Sequence, residues 1–383
     1  MTKDALDGDR RWMEAALNLG ERSLGLAAPN PSVGALLVKD GIVVGRGVTA
    51  PGGRPHAEAI AIAEAGEAAR GATLYVTLEP CSHTGGTPPC VESVLAAGVA
   101  RVVSALEDPN PRVAGQGHAR LRAAGVEVVV GPGAERARRD HRGHILVVTE
   151  GRPTVTLKLA ETADGFAAGD AHDPRLRITG QIANGRVQVM RATHEAIMIG
   201  VDTAVADDPS MTVRLPGLDR KPLRVVLDTR LRLPTSTRLV ATARETPALV
   251  ICGPEAPNKA AERLKDLGLE VEAVGLDPFG HVDLGEALRA LAKRGVTRVF
   301  SEGGPRIAAR LIALGLADEV VIFTAEKPLG RPGLQALGEA ARATLADASR
   351  YRLIETAAFG PDSMRVWSRK SNLESALRPD PSI

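Results

Sequence analysis

Aromatic side chains make up only 2% of this 383-residue chain. So few rings remove the stacking platforms that single-stranded nucleic acid binding uses. Charge of one sign is also missing: 48 Lys and Arg stand against 46 Asp and Glu, a net +2. That leaves no electrostatic footprint for nucleic acid or for an acidic membrane. No apolar run approaches the length of a transmembrane helix. Met1 to Arg11 carries several acidic residues and no apolar core, so a secretory signal is not expected. Three cysteines cannot build a disulfide framework. The dinucleotide fingerprint G-x-G-x-x-G is absent, since Gly115-Gln116-Gly117 is followed by Arg120, and Gly131-Pro132-Gly133 by Arg136, where its third glycine belongs. A standard Rossmann half is therefore unsupported. The chain is expected to be soluble and cytoplasmic, and long enough for two domains or three small ones.

What the chain does have is a three-part signature: His56-Ala57-Glu58, Glu79-Pro80-Cys81 and Thr87-Pro88-Pro89-Cys90. One imidazole and two thiols fill three of the four tetrahedral positions that zinc prefers, and a catalytic site keeps the fourth for water. His56, Cys81 and Cys90 are the expected ligands. Glu58, two residues from His56, is too close to share the metal and well placed to move protons, as in zinc nucleobase deaminases. The common P-C-x-x-C spacing fails here because position 84 is Thr. The loop Ser82 to Pro89 must fold back, and Pro88-Pro89 before Val91, Val94 and Leu95 suggests that Cys90 opens a helix. A helix N-terminus favours the thiolate. Singly, each cysteine reads as a small buried hydrophobe and each histidine as a hydrogen-bonded residue. The combination points to zinc. His83 is an alternative ligand, but it more plausibly faces substrate.

Strand-like and helical segments alternate, which indicates layered α/β architecture. Asp9 to Leu26 reads as an amphipathic helix ended by Pro29-Asn30-Pro31. Val33 to Lys39 and Ile42 to Gly47 flank Asp40-Gly41, a strong hairpin signal. His56 to Ala69 is Ala-rich and helical, Thr73 to Leu78 a strand delivering Glu79 and Cys81. Arg101 to Ala105 and Val126 to Val130 are further strands. A basic, polar stretch from Arg136 to His144 precedes a boundary near residue 149. Beyond it, Thr154 to Leu159, Ala196 to Gly200, Leu223 to Asp228, Ala248 to Cys252, Glu270 to Val274, Thr297 to Ser301 and Glu319 to Phe323 read as strands. Residues 371–383 read as a frayed tail. Ser301-Glu302-Gly303-Gly304-Pro305 lies between a strand and a helix, where paired glycines and free N–H groups suit phosphate. An ordinary tight turn explains it equally well. Asp207-Asp208-Pro209 reads as a turn or cap.

Together these segments resemble the bifunctional riboflavin-biosynthesis deaminase/reductase family. The matches are Pro29 to Gly34, His56 to Glu58, Thr77 to Cys90, Asp108-Pro109-Asn110-Pro111 and Val113 to Gly115. In the second half they are Leu157 to Ala160, Asp164-Gly165, Ile178 to Gly180, Arg191-Ala192, Asp202 through Arg214 and Ser301 to Gly304. The resemblance runs in family order over residues 10–370. It implies a cytidine-deaminase-like three-layer α/β/α domain over 1–148. A dihydrofolate-reductase-like α/β domain would follow over 149–370, with a tail over 371–383. It implies one Zn2+ per chain, and NADPH in the reductase. The substrate would be 2,5-diamino-6-(ribosylamino)-4(3H)-pyrimidinone 5'-phosphate, deaminated by zinc-activated water and then reduced from ribosyl to ribityl.

By the same resemblance, Asn30, His83, Asp108 and Asn110 line the deaminase substrate site. Ala160, Thr203, Asp207, Gly304, Pro305 and Arg306 meet the cofactor. Lys158, Arg175, Arg191, Met211, Arg214 and Glu302 meet the reductase substrate, the arginines holding phosphate by charge-assisted bonds. A small-molecule substrate, no nucleic acid, no membrane and a homo-oligomer are expected. The chain departs from the family pattern at Gly86, where a basic residue is usual, and at Glu161-Thr162, usually Met-Ser. Arg177 stands where Trp is usual, and Asp140 to His144 replaces Leu-Asn-x-x-Phe. The alternative is a deaminase of a free base or tRNA joined to a non-catalytic binding half.

Overall fold

The computed structural model describes residues 3–83, 88–110, 114–170, 173 and 176–370. The expectations on Gly86 and the rest of 84–87, on Val113, on Arg175 and on the 371–383 tail lie outside the described residues. The chain divides into two compact units, Met1–Arg152 and Pro153–Ile383. The boundary expected near residue 149 falls within the last turn of a helix that runs to Glu150. Among the described residues no helix is long and apolar enough to cross a membrane.

The first unit runs α1 (Lys3–Gly20), β1 (Gly34–Lys39), β2 (Ile42–Val48), α2 (Ala57–Ala65), β3 (Thr73–Val76), α3 (Cys90–Ala96) and β4 (Arg101–Ser104). It continues with α4 (Gln116–Ala123), β5 (Glu127–Val130), α5 (Ala134–Asp140) and α6 (Arg142–Glu150). Its sheet has the order β2-β1-β3-β4-β5. β1 is antiparallel to both β2 and β3, and β3, β4 and β5 are parallel. The Asp40-Gly41 hairpin forms as expected, with φ of 50° and 75° at the two turn residues, the positive pair that a tight type I′ turn demands.

The first helix ends earlier than the sequence suggested. Ser32 Oγ donates to Gly20 O at 2.5 Å, which takes the carbonyl on which the helix would have continued. A Cβ at Gly20 would lie 3.1 Å from Gly34 N, so the chain passes too close there for a larger residue. The stretch Arg136 to His144, read as merely basic and polar, forms most of α5 and the start of α6.

α1 and α2 cover opposite faces of this sheet. A Cβ on Gly34 would meet Ala16 O of α1 at 2.0 Å, whereas a Cβ on Gly47, whose β1 partner is Ala35, would meet Ala57 O of α2 at 1.9 Å. Neighbouring positions on a strand face opposite ways, so the unit is a three-layer α/β/α sandwich. Its core includes Leu37, Leu74, Val76, Val102 and Val103 between the layers, all buried. Each such side chain contributes about 1.5–3 kcal/mol. Because β1 runs against both neighbours, β2 points the same way as β3. The N-terminus of α2 therefore lies at the carboxyl edge of β3 and β4.

The second unit runs β6 (Thr154–Glu161), β7 (Phe166–Ala168), α7 (Gln181–Ala192), β8 (Ala196–Gly200), α8 (Val201–Asp207), β9 (Leu223–Leu227), α9 (Arg238–Ala241), β10 (Ala248–Cys252) and α10 (Asn258–Asp266). It continues with β11 (Glu270–Ala273), α11 (Leu284–Lys293), β12 (Arg298–Ser301), α12 (Pro305–Ala313), β13 (Glu319–Thr324), β14 (Leu334–Gln335), α13 (Glu339–Ala346), β15 (Tyr351–Phe359) and β16 (Asp362–Arg369). Nine strands form one sheet, β11-β10-β9-β8-β12-β6-β13-β16-β15. It is parallel except for the β13, β16, β15 edge. Both faces are covered: Ala196 and Met198 join one buried cluster with α11, α12 and α13, and Ile197 and Ile199 join another with α7, α8 and α10. That explains the near-continuous apolar strands in the sequence. The β15–β16 hairpin and α7 were not foreseen. β15 alternates buried and exposed positions only weakly, and α7, though a continuous helix, carries the weak helix formers Asn184-Gly185 in its middle.

Gly45 and Gly47 let α2 lie directly on β2, since Cβ atoms there would sit 2.2 Å from Ala61 O and 1.9 Å from Ala57 O. Gly47→Ala is expected to push α2 off the sheet and cost about 1–3 kcal/mol, measurable as a lowered midpoint for the first unit in chemical unfolding.

Candidate active sites in the two units

The starts of α2 and α3 and the end of β3 meet at the carboxyl edge of the first sheet. His56 precedes α2 with extended backbone, and Glu58 sits in the first turn. β3 runs out into Glu79-Pro80-Cys81. Cys90 opens α3 after Pro89, as the apolar spacing suggested. The ligand atoms of His56, Cys81 and Cys90 all lie within 4.8 Å of one another. His56 Nδ1 is 3.2 Å from Cys90 Sγ and 3.7 Å from Cys81 Sγ. Tetrahedral zinc, with bonds of ~2.3 Å to sulfur and ~2.1 Å to nitrogen, sets such atoms roughly 3.6 Å apart. The donor set and its spacing fit that ion. Glu58 stands outside this group of ligand atoms.

The electrostatics differ in one respect from the sequence expectation. The α3 N-terminus acts on Cys81 rather than on Cys90: Cys90 N–H donates to Cys81 Sγ at 3.3 Å, and Val91 N–H donates to Cys81 O. The Cys90 thiol also donates to Cys81, and with His56 this outweighs burial and holds Cys81 at about 4. Cys90 is pushed up by the same bond and by burial. Glu58 is buried, and burial raises its carboxyl above the ordinary value. A carboxyl raised in this way is suited to taking and returning a proton near neutral pH.

Asn30 Nδ2 donates to Gly53 O at 2.8 Å, so Asn30 braces the loop that leads into His56. His83 is exposed. Asp108 is buried at the end of the segment after β4, and its Oδ1 accepts the N–H of Asn110 at 2.9 Å. Burial would raise the Asp108 carboxyl, but the hydrogen bond and charge of His144, helped by Asn110 N–H, bring it below its ordinary value.

Sequence reasoning missed Glu79. This buried carboxylate accepts N–H groups from Asp108 at 3.1 Å, Gly115 at 2.9 Å, Gly117 at 2.7 Å and His118 at 3.2 Å. It ties the segment carrying Asp108 and Asn110 to the strand end carrying Cys81. Its signal was present as an acid one residue before Pro-Cys. Nothing local pointed to partners some thirty residues away. A Cβ on Gly117 would lie 2.2 Å from Pro80 O, which explains the second glycine of Gly115-Gln116-Gly117 without a nucleotide.

In the second unit the strand order marks a place for ligand. From β8 the chain proceeds outward to β9, while from β12, its neighbour, it proceeds past β6 to β13. Adjacent parallel strands whose connections diverge leave a crevice at their carboxyl ends. Thr203 of α8 and Gly304 before α12 meet there, since a Cβ on Gly304 would lie 3.1 Å from Thr203 Oγ1. Pro305 takes the first turn of α12. Arg306 pairs with Asp202 at 3.3 Å at the exposed rim. Asp207 ends α8, and Ala160 lies near the end of β6, opposite Phe323.

Arg191 of α7 grips Glu302 with two bonds, Nε to Oε1 at 2.5 Å and Nη2 to Oε2 at 2.9 Å. Its Nη1 donates to Thr212 O at 2.9 Å. All three guanidinium nitrogens are thus engaged by the protein. Burial works against the Glu302 charge, but Arg191, followed by Lys158 and Arg214, holds its carboxyl below the ordinary value. Lys158, Arg191, Arg214 and Glu302 therefore share one electrostatic neighbourhood. Buried Met211, at φ 50°, lies in the same loop as Thr212 and Arg214.

Residues 6–106 match the cytidine and deoxycytidylate deaminase zinc-binding region, and residues 153–363 match the RibD C-terminal domain. The riboflavin biosynthesis protein RibD of Aquifex aeolicus is 37% identical over 94% of this chain and 98% of its own length. The chain belongs to the RibD family. The Escherichia coli RibD is likewise 37% identical, over 92% of this chain and 97% of its own. The Acinetobacter baumannii RibD structure superposes with a TM-score of 0.82 at 34% identity, covering 96% of this chain and all of the other. A Thermotoga maritima diaminohydroxyphosphoribosylaminopyrimidine deaminase/5-amino-6-(5-phosphoribosylamino)uracil reductase gives 0.81 at 30% identity. As a RibD, the chain is a bifunctional deaminase and reductase of riboflavin biosynthesis, with a zinc-binding deaminase half and a reductase half that implies a nicotinamide cofactor. A non-catalytic second half is not favoured.

Glu79→Gln keeps the shape but replaces one acceptor oxygen with an N–H donor. Hydrogen exchange is expected to quicken at the amides of Gly115 and Gly117, while amides of β1 and β3 stay protected.

Proposed function

We propose that the first unit removes the 2-amino group of 2,5-diamino-6-(ribosylamino)-4(3H)-pyrimidinone 5'-phosphate as ammonia. The second unit then reduces the ribosyl chain of that product to ribityl with NADPH. The observation that carries the first step is the meeting of His56, Cys81 and Cys90 beside the buried Glu58. One zinc ion held by those three residues would lower the pKa of a water molecule toward neutrality. Glu58 accepts the proton of that water as its oxygen adds to the amino-bearing ring carbon. It then delivers the proton to the nitrogen, and the carbon–nitrogen bond breaks to release ammonia. Asn30, His83, Asp108 and Asn110 line the pyrimidine and ribose. The environment supports Glu58 as the shuttle, since burial lifts its carboxyl toward the working pH.

In the second unit, NADPH would supply a hydride to the ribosyl carbon when bound. Thr203 and Gly304, which meet where the connections diverge, together with Ala160, Asp207, Pro305 and Arg306, receive the cofactor. Lys158, Met211, Arg214 and Glu302 meet the pyrimidine phosphate. Arg191 sets Glu302 and the 211–214 loop through the bonds already described. The phosphate is then left to Arg214 and Arg175. The substrate is a small molecule rather than nucleic acid, and the working form is a homo-oligomer.

The test is metal analysis joined to turnover of the diaminopyrimidine phosphate, with and without NADPH. Ammonia release without NADPH, and NADPH oxidation only after deamination, is the expected result. Glu58→Gln should abolish ammonia release while zinc stays bound; loss of zinc in that variant would make Glu58 a ligand. Glu302→Gln should leave ammonia release intact and slow NADPH oxidation by roughly tenfold or more, since Arg191 would lose its charge-assisted partner.

A further inference from the structure

α6 enters the first site only through His144, and the helix begins in the stretch where this chain departs from the family pattern. Two histidines there reach the carboxyl edge of the first sheet. His141 Nε2 lies 3.0 Å from Thr77 Oγ1, one strand end. His144 Nε2 lies 3.2 Å from Asp108 Oδ1, at the next. The phenylalanine usual in the family at position 144 could pack there but could not make this bond.

Asp108 is held in an asymmetric way. Its N–H donates to Glu79, which anchors the backbone. Its Oδ1 receives the Asn110 N–H and His144. Oδ2 makes no hydrogen bond among the described residues. The terminal torsion of an aspartate is broad and roughly two-fold, so a carboxylate bonded by its backbone alone could swing. Two donors on one oxygen fix the direction of the other. His144 can donate from Nε2 either in the neutral Nε2–H tautomer or as imidazolium, so the arrangement needs no particular charge on the ring.

We propose that His144 is a positioning residue for deamination: by holding Oδ1, it aims Asp108 Oδ2 at a hydroxyl or N–H donor of the pyrimidine ribosyl phosphate. This rests on the reading of Asp108 as a substrate contact. Asp108 would touch the substrate equally before and during the reaction. Loss of its aim therefore weakens binding rather than the chemical step, a signature that appears in KM and not in kcat.

The experiment measures ammonia release from the diaminopyrimidine phosphate by the zinc-loaded full chain. His144→Leu is expected to raise KM roughly tenfold, the scale of a lost hydrogen bond to a charged group, with kcat within about twofold. Zinc content should not change. His144→Gln, which retains an N–H donor, should recover most of the KM. In an Asp108→Asn background, His144→Leu should add nothing further. A raised KM for Asp108→Asn beside an unchanged KM for His144→Leu overturns the proposal and leaves the Asp108 reading standing. An unchanged KM for Asp108→Asn overturns the reading itself, and the proposal with it. Loss of zinc, a fall in kcat, or no recovery with glutamine marks a packing role and also overturns it.

Discussion

Gly45 and Gly47 leave no side chain between β2 and α2, and the backbone carbonyls of Ala57 and Ala61 occupy the space where Cβ atoms would be. That contact sets the height of the α2 N-terminus above the sheet. His56 and Glu58 ride on it, while Cys81 comes from the end of β3 and Cys90 from the start of α3. Side-chain donors on three separate elements can share one small volume only if the elements cannot drift. A shift of an ångström at α2 would be a large fraction of the 3.2–3.7 Å that separates the His56 nitrogen from the two sulfurs. Close packing makes such a shift costly, because interiors repack in discrete steps rather than yielding smoothly.

The second unit solves a similar problem with similar means. Gly200, Gly303 and Gly304 keep the ends of β8 and β12 clear, with Ile307 and Thr203 filling the space a Cβ would take. The site carboxylates then divide by partner. Glu302 is matched by a bidentate guanidinium and stays charged, so it can hold a neighbour in place. Glu79 gathers four backbone N–H groups and serves as a knot between segments. Among the described residues no cationic side chain is bonded to Glu58 in that way, and burial lifts it. These three acids thus have three uses, distinguished by what surrounds them.

The meeting of His56, Cys81 and Cys90 was legible in the sequence because those residue types have few other reasons to occur together in that pattern. The strands were legible because both faces of the second sheet are covered, which leaves unbroken apolar runs such as Ala248 to Cys252. The contacts made at long range were hidden. Arg191 and Glu302 are far apart in the chain, and either alone reads as an ordinary surface charge. His141 and His144 sit in a stretch that read only as basic and polar, because α5 and α6 bury only Ala137, Gly143, Ile145 and Leu146 among polar neighbours. The end of α1 was misjudged for the same reason: Ser32, which takes the Gly20 carbonyl, lies outside the helical window.

Both candidate sites lie at the carboxyl ends of parallel strands, and the physical reason is common to them. At that edge each strand releases its chain into a segment that must turn back as a helix. Every such turn brings N–H groups that have no partner within the helix. The first unit turns this supply onto a sulfur, through Cys90 N–H on Cys81. The second offers it at Gly304-Pro305, where the crevice between diverging connections opens. A polar substrate carrying a phosphate gains from both kinds of edge, since what it loses in hydration is returned by fixed donors. The antiparallel strands contribute differently in each unit: β2 leads into α2 at the edge where β3 ends, and β15 and β16 close the far side of the nine-stranded sheet. The first candidate site thus draws on both kinds of strand, with His56 reached through β2 and Cys81 through β3.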